Sequence, residues 1–330
     1  MTGAAQQAPA AAAGAQTIHL NVVVVPPKAG APVTGLSQGD FTLLDNKAPR
    51  PVETFRAVSA GQEPVSVVVL LDAVNISFER VAYARQQVQK FLKLNEGQLA
   101  HPTAVAVLTD KGLEMPQQSF TNDGNALSAA LEHDNVGLRE LRRDSGFWGA
   151  SERVQISLSA VQQLTASVAK LPGRKVVIWV SPGWPLLSGP RIDLDAKQQR
   201  QIFSNVVAFS RELQAANMTL YNVNPLGPEE NLIREDWYQQ FVKGVSTPSQ
   251  TDLADLSLQV LAIQSGGLSL NGSSDVAGGL RRCVADTDAW YEVTFAAPPA
   301  EQPNEYHHVQ VTVDKPGLTA RTRDGYYAQP

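Results

Sequence analysis

Val65-Ser66-Val67-Val68-Val69-Leu70-Leu71-Asp72 is the stretch whose reading decides the fold. An apolar run that ends on a carboxylate suits a strand buried on both faces of a parallel sheet. The period then changes. Val81, Ala84, Val88 and Phe91 recur at spacings of three and four, which gives a helix one apolar stripe. Further along, Thr103 to Leu108 is a second buried strand ending at Thr109-Asp110, and Met115 to Phe120 reads as an edge strand. Val154, Leu158, Val161, Leu164 and Val168 stripe a long helix that Pro172-Gly173 stops. Val176 to Val180 is the next strand, ending at Ser181-Pro182-Gly183, and Ile202, Val206, Phe209 and Leu213 mark another helix. Met218 to Val223 is a strand closed by Asn224-Pro225. Leu253, Leu256, Val260 and Ile263 mark a helix stopped by Gly266-Gly267, and Asp275 caps a last one carrying Val276, Leu280 and Val284. Alternation of this kind over 64–288 predicts an α/β, Rossmann-like, mostly parallel sheet with helices on both faces.

Outside that stretch the period is two. Ile18, Leu20, Val22 and Val24 alternate, and Asp40 to Asp45 and Val52 to Val58 read as further strands. After residue 288, Tyr291, Val293 and Phe295, then Val309, Val311 and Val313, then Ala320 to Tyr327 resume the alternation. Each end alone has too few strands to be stable. Residues 17–60 and 289–330 are therefore expected to pair as a small β-sandwich beside the α/β unit. Residues 1–16 are mostly Ala, Gln and Gly, without a basic start or a strong apolar stretch. They read as a flexible leader, or as what remains once an export segment has been cleaved.

Composition narrows the function classes. The chain has 330 residues, 43% hydrophobic and 18% charged, which fits a globular core rather than disorder. Net charge is -5, and the densest basic group, Arg139, Arg142 and Arg143, is interrupted by Glu140 and Asp144. A solvated helix face accounts for it, so nucleic acid is not an expected partner. A single cysteine, Cys283, excludes an intrachain disulfide and a Cys-rich metal site, and its apolar stripe suits a buried inert thiol. No run approaches the roughly 20 apolar residues of a membrane span.

Three stretches carry a family resemblance. The first is Pro32-Val33-Thr34-Gly35-Leu36 followed by Asp40-Phe41-Thr42-Leu43-Leu44-Asp45. The second is Val67 to Asp72 leading into Tyr83-Ala84-Arg85. The third runs from Gly266-Gly267 through Leu280-Arg281-Arg282 and Tyr291 to Pro316-Gly317-Leu318 and Arg323-Asp324-Gly325-Tyr326-Tyr327. No one stretch is specific, but their ordered combination over nearly the whole chain resembles the von Willebrand factor type A-related family first noted in acidobacteria. The resemblance implies a type A-like domain with β-rich flanks in an exported, secreted or periplasmic bacterial protein. It says little of biochemical role.

Type A domains often hold a divalent ion at the carboxyl ends of their strands, on a loop reading D-x-S-x-S. Here the loop is Asp72-Ala73-Val74-Asn75-Ile76-Ser77. Val74 and Ile76 occupy the hydroxyl positions, and Asn75 and Ser77 each come one place late. Where a later strand would supply an Asp, Ser181 stands instead, and Ser145 or Ser151 is the candidate for the middle loop. The expectation is a degenerate site that needs no cofactor and binds Mg²⁺ or Ca²⁺ weakly if at all. Asp72, Asn75 and Ser77 are the candidate ligands of this loop. Capping or loop bonding is the plainer role for Asp72.

Other catalytic patterns fail. The histidines make no H-x-x-x-H, and His307-His308 point to opposite faces of a strand, where a solvated edge is the expectation. Gly266 to Leu270 is not a nucleophile elbow, and there is no phosphate-binding G-x-x-x-x-G-K-[ST] loop. The aromatics Phe147, Trp148, Trp184, Trp237 and Tyr238 fall in long loops, Asn135 to Ser151, Ser181 to Asp195 and Leu226 to Gln250. There they are either interface anchors or covers of the sheet. A short helix is expected near Asp236 to Val242. The function expected is a protein-binding or adhesion-type module using Asp72, Asn75, Ser77, Phe147, Trp148, Ser181, Trp184, Trp237 and Tyr238. The alternatives are metal-dependent binding through a shifted loop, or a hydrolase at the same face.

Overall fold

The structure is a computed structural model that describes residues 16–28, 30–117, 119–133, 146–185, 194–227 and 237–330. In chain order the opening strands are β1 (Thr17–Val25), β2 (Phe41–Asp45), β3 (Ala48–Pro49) and β4 (Thr54–Ser59). The α/β body follows with β5 (Val65–Asp72), α1 (Phe78–Leu92), β6 (Gln98–Thr109), β7 (Gly112–Glu114), β8 (Thr121–Asp123) and α2 (Gly124–His133). It continues through α3 (Gly146–Val168), β9 (Arg174–Val180), α4 (Ala196–Ala215), β10 (Met218–Val223), α5 (Leu258–Gln264), β11 (Ser269–Leu270) and α6 (Val276–Ala285). The chain closes with β12 (Ala289–Ala296), β13 (Glu305–Val313), β14 (Thr319–Arg321) and β15 (Gly325–Ala328).

The body is a mostly parallel sheet in the order β11-β10-β9-β5-β6-β7, with β8 on β6. β5 lies between β6 and β9, with Val69 level with Val105 and Ile178. Both its faces are covered, which is why its sequence is apolar except at Ser66 and the terminal Asp72. One face packs under α3, α4 and α5 through Val161, Leu164, Phe203, Val206, Leu258 and Leu261. The other packs under α1, α2 and α6 through Val81, Val88, Leu127, Leu131, Leu280 and Cys283. Gly173 has a φ of +70°, and a Cβ there would sit 1.9 Å from the Pro64 carbonyl oxygen, so only glycine turns the chain into β9.

The two chain ends do pair. One antiparallel sheet runs β14-β1-β12-β4 and the other β15-β13-β2-β3. They share a core that includes Ile18, Leu20, Val22, Phe41, Tyr291, Phe295, Val309 and Tyr326. The alternate residues of the first sheet turn to the body. Val23, Val58 and Trp290 belong to the body's core, and the Arg174 guanidinium stacks 5.2 Å from the Trp290 ring.

Several local expectations are corrected. Met115 to Phe120 is no strand, and the pairing falls on either side of it, in β7 and β8. Pro116 has no N–H to give a ladder. Residues 146–151, expected in a loop, are the first turns of α3. The helix expected through Leu253 to Ile263 is broken at Ser257 into a 3-10 turn and α5, because Asp252 caps the first piece at Ala254. Ala320 to Tyr327 is two strands on two sheets. His307 is not on a solvated edge. β13 lies inside its sheet, and the buried His307 donates Nδ1–H to Asp45 Oδ1 at 2.8 Å, while Tyr326 donates its hydroxyl to Asp45 Oδ2 at 2.7 Å. His308 is exposed. The leader up to residue 15, Arg139, Arg142, Arg143, Asp144 and Ser145 lie outside the described residues. Among the described residues no helix is long and apolar enough to cross a membrane.

Candidate functional site

Asp72 is the last residue of β5, where the parallel strands release the chain at the carboxyl edge on which open α/β sheets bind their ligands. It is fully buried. Oδ1 accepts from the backbone N–H of Val74 at 3.0 Å and of Asn75 at 2.9 Å, which folds the loop back on the strand end. Oδ2 accepts from Asn75 Nδ2 at 2.8 Å, Trp179 Nε1 at 3.0 Å and the Ser181 hydroxyl at 2.8 Å. The carboxylate thus serves five donors. Burial pushes its pKa above the ordinary carboxylate range, and the bonds from Asn75, Trp179 and Ser181 pull it back.

The network extends both ways along the edge. Asn75 Nδ2 also donates to Ser157 Oγ of α3 at 3.0 Å, and Ser157 in turn donates to the Arg153 carbonyl at 2.8 Å. Ser181 Oγ accepts from the Gly183 N–H at 3.1 Å, and the Ser181 carbonyl accepts from Asn222 Nδ2 at 2.8 Å. Asn222 Oδ1 accepts from Ser269 Oγ at 3.0 Å. A chain of small polar side chains therefore ties β11, β10, β9 and β5 to α3.

This arrangement does not fit a divalent ion. A hard cation needs several oxygens whose lone pairs converge on one point. Here both Asp72 oxygens face N–H and O–H groups, one of them an indole that cannot ligate. Val74 and Ile76, at the hydroxyl positions, are buried in the apolar cores. Ser77 has moved on to the N-cap of α1, where its carbonyl receives Arg80 and Val81. Asn75 Oδ1 is the one buried acceptor of the loop without a partner among the described residues, and one oxygen does not make a site. The Ser181 hydroxyl is buried and committed to Asp72, which leaves it poorly placed as a nucleophile.

The aromatic candidates separate. Trp184 is 3% exposed and meets Trp179 edge to face at 5.4 Å, so it is a cover of the sheet and not an exposed anchor. Its Nε1 has no partner among the described residues. Trp148 is 80% exposed. Phe147 lies beside it in the first turn of α3, with its side chain outside the described residues. Trp237 and Tyr238 are half-buried in a 3-10 turn, Trp237 with its ring 5.6 Å from Phe241. The structure brings Asp72, Asn75 and Ser181 together, and Trp148 belongs to the helix that Asn75 touches.

Sequence reasoning missed Trp179, Ser157 and Asn222 as members of the network. The available signal was position: in parallel register Leu70 is level with Trp179 and Leu71 with Val180, which sets the indole near the Asp72 side chain.

No family model matches the chain, and no curated protein matches it. Among solved structures, proximal thread matrix protein 1 from the mussel byssus is similar at 12% identity and a TM-score of 0.40, over 70% of this chain and 48% of that one. The PilB minor pilin of Streptococcus sanguinis is similar at 9% identity and 0.35, over 69% and 63%. The manganese-loaded TRAP protein of Plasmodium vivax is similar at 11% identity and 0.35, over 82% and 96%. The chain spans about half the length of the mussel protein it matches.

Proposed function

We propose that the chain is a type A-like, non-catalytic protein-binding module, exported or secreted by a bacterium, that meets a protein partner with the face at the carboxyl edge of its parallel sheet and needs no metal to do so. The observation that carries this reading is the exposure of Trp148, 80%. α3 runs antiparallel to β9, so its N-terminus lies at the carboxyl edge. Asn75 fixes Ser157 level with the Asp72 loop, and at a rise of roughly 1.5 Å per residue Trp148 stands about 14 Å further along the helix axis. A large ring carried out from the edge on a rigid helix is the kind of side chain that anchors an interface. The closed Asp72 network supports the metal-free part. It stiffens the platform from which α3 projects and leaves the carboxylate no free lone pair to offer. Sealing of Ser181 supports a binding role over hydrolysis.

The test compares immobilised wild type with Trp148→Ala in envelope extract of the native host, with and without EDTA. The expected result is one protein retained by wild type in both buffers and lost by the variant, while both melt alike. Equal retention by the two proteins, or retention abolished by EDTA, overturns the reading.

A further inference from the structure

The opposite end of the body holds a second feature, unrelated to the Asp72 network. The outward residues of the first terminal sheet, among them Asn21 of β1 and Thr294 of β12, face the C-terminal end of α4 across a cavity of about 940 Å³. That is the size of a ligand cleft. Asn21 Nδ2 donates to Asn217 Oδ1 at 2.6 Å and holds the two sides together.

Two guanidiniums stand on its wall. Arg211 donates to Asn304 Oδ1 at 2.9 Å and to the Tyr327 carbonyl at 3.4 Å. Arg323, nine-tenths buried, donates to Gln214 Oε1 at 2.9 Å. Gln214 is one turn of α4 from Arg211, so both cations approach the same helix face. Among the described residues neither has a carboxylate within ion-pair distance. Burial lowers both, Arg323 to about 10; a guanidinium stays protonated at neutral pH. Thr322 also lines the cavity, although its hydroxyl Oγ1 is itself buried.

The negative counterweights are weak. Glu292 on the far wall is engaged by Arg56, which also pairs with Glu63. The C-terminus of α4 offers about half a unit of negative charge against two whole positive ones. A buried cation without a counter-charge is unfavourable unless something else neutralises it, and Arg323 is nine-tenths buried while Arg211 is half-buried. A guanidinium's planar fork matches an oxyanion.

We propose that this cleft binds an organic anion, its carboxylate or phosphate head seated against Arg211 and Arg323. The head group accounts for two guanidiniums that lack a counter-charge on one cavity wall.

The test titrates the full chain with benzoate, phenyl phosphate and the neutral benzyl alcohol by calorimetry. Variants are Arg211→Gln, Arg323→Gln and Thr294→Trp. The last fills the cleft from a partly exposed strand position, and it serves should Arg323→Gln fail to fold. One or both anions bind, the alcohol does not, and affinity falls about tenfold or more in Arg211→Gln and in Thr294→Trp. The tighter of the two anions assigns the head group. Binding by neither anion, binding as tight in both variants, or equal binding of the alcohol overturns the proposal. Trp148→Ala leaves the titration unchanged, which separates this site from the partner face.

Discussion

Replacing Asp72 with alanine withdraws one acceptor from five donors. Ser181 can turn its hydroxyl, and the Asn75 amide keeps Ser157. The Val74 N–H, the Asn75 N–H and the Trp179 indole N–H have no other acceptor among the described residues. A buried donor left without a partner costs about 1–3 kcal/mol, so three cost about 3–9 kcal/mol. Removing a fully buried carboxylate returns part of this, since its own desolvation is worth several kcal/mol. The expected net loss is about 3–5 kcal/mol, with Asp72→Asn losing less because one oxygen still accepts. Urea unfolding followed by tryptophan fluorescence, in millimolar Mg²⁺ and in EDTA, measures it. The structural reasoning predicts a large loss that is the same in both buffers. A resident cation site behaves oppositely: wild type gains about 2.7 kcal/mol at a hundredfold excess of metal over Kd, and the variant loses only that gain. An Asp72→Ala protein as stable as wild type in EDTA refutes the account of the network.

Trp184→Ala should lose about 3–5 kcal/mol by urea melts, as a buried ring does, whereas Trp184→Phe should lose under about 2 kcal/mol because the indole N–H has no partner among the described residues; equal losses would show that the N–H has one. Trp148→Ala should leave stability within about 0.5 kcal/mol of wild type, and a larger drop would place the ring in packing. Burial raises Asp324 to about 7 and Asp255 to about 6, from 3.8. The folded state holds these protons more tightly than the unfolded chain, so their contribution is full below pH 3.8 and is lost as pH rises to about 7. Melting temperature should therefore fall from pH 5 to pH 8, and Asp324→Asn should flatten that slope; an unchanged slope contradicts the assignment. Deleting residues 306–330 removes β14 but leaves β12, so amide protection should fall at Val23 to Val25, which pair with β14, more than at Leu20 to Val22, which keep β12, and retained protection at Val23 to Val25 would show that this end of β1 stands without β14.

The body was legible because burial on both faces leaves little latitude: Val65 to Leu71 and Val176 to Val180 are apolar at nearly every position, and the helical stripes follow the same demand. Periodicity also revealed that both chain ends are β, since Ile18, Leu20, Val22 and Val24 share a face. Exceptions turned on single residues. Pro116 ended a strand-like run, and Asp252 capped a turn where the stripe suggested one helix. Trp184 and Trp148 are the same residue type in loops of similar look, and only the packing of Val154 and Leu256 over one of them tells cover from anchor. Asp72 was noticed for the right position and the wrong neighbours, because a side-chain network across β5, β9 and α3 leaves no spacing in the sequence. The cleft proposed to bind an anion left none either, as its two arginines come from α4 and from the link between β14 and β15.

Pairing of β1 with β12 sets a waiting time. Thr17 lies opposite Ala296, and Phe41 opposite Val313. During synthesis at roughly 5–20 residues per second, β1 stands without its partner for about 14–56 s after it emerges, longer than most small domains take to fold. Through that interval the alternating face of Ile18 to Val24 is an exposed strand edge, the type of segment that associates with other chains. Every strand of the parallel sheet is complete before β12 is made, so the body can serve as the surface on which the late strands are assembled. The ribosome's order of delivery thus makes the terminal sheets the last part of the molecule to close and the first at risk of aggregation.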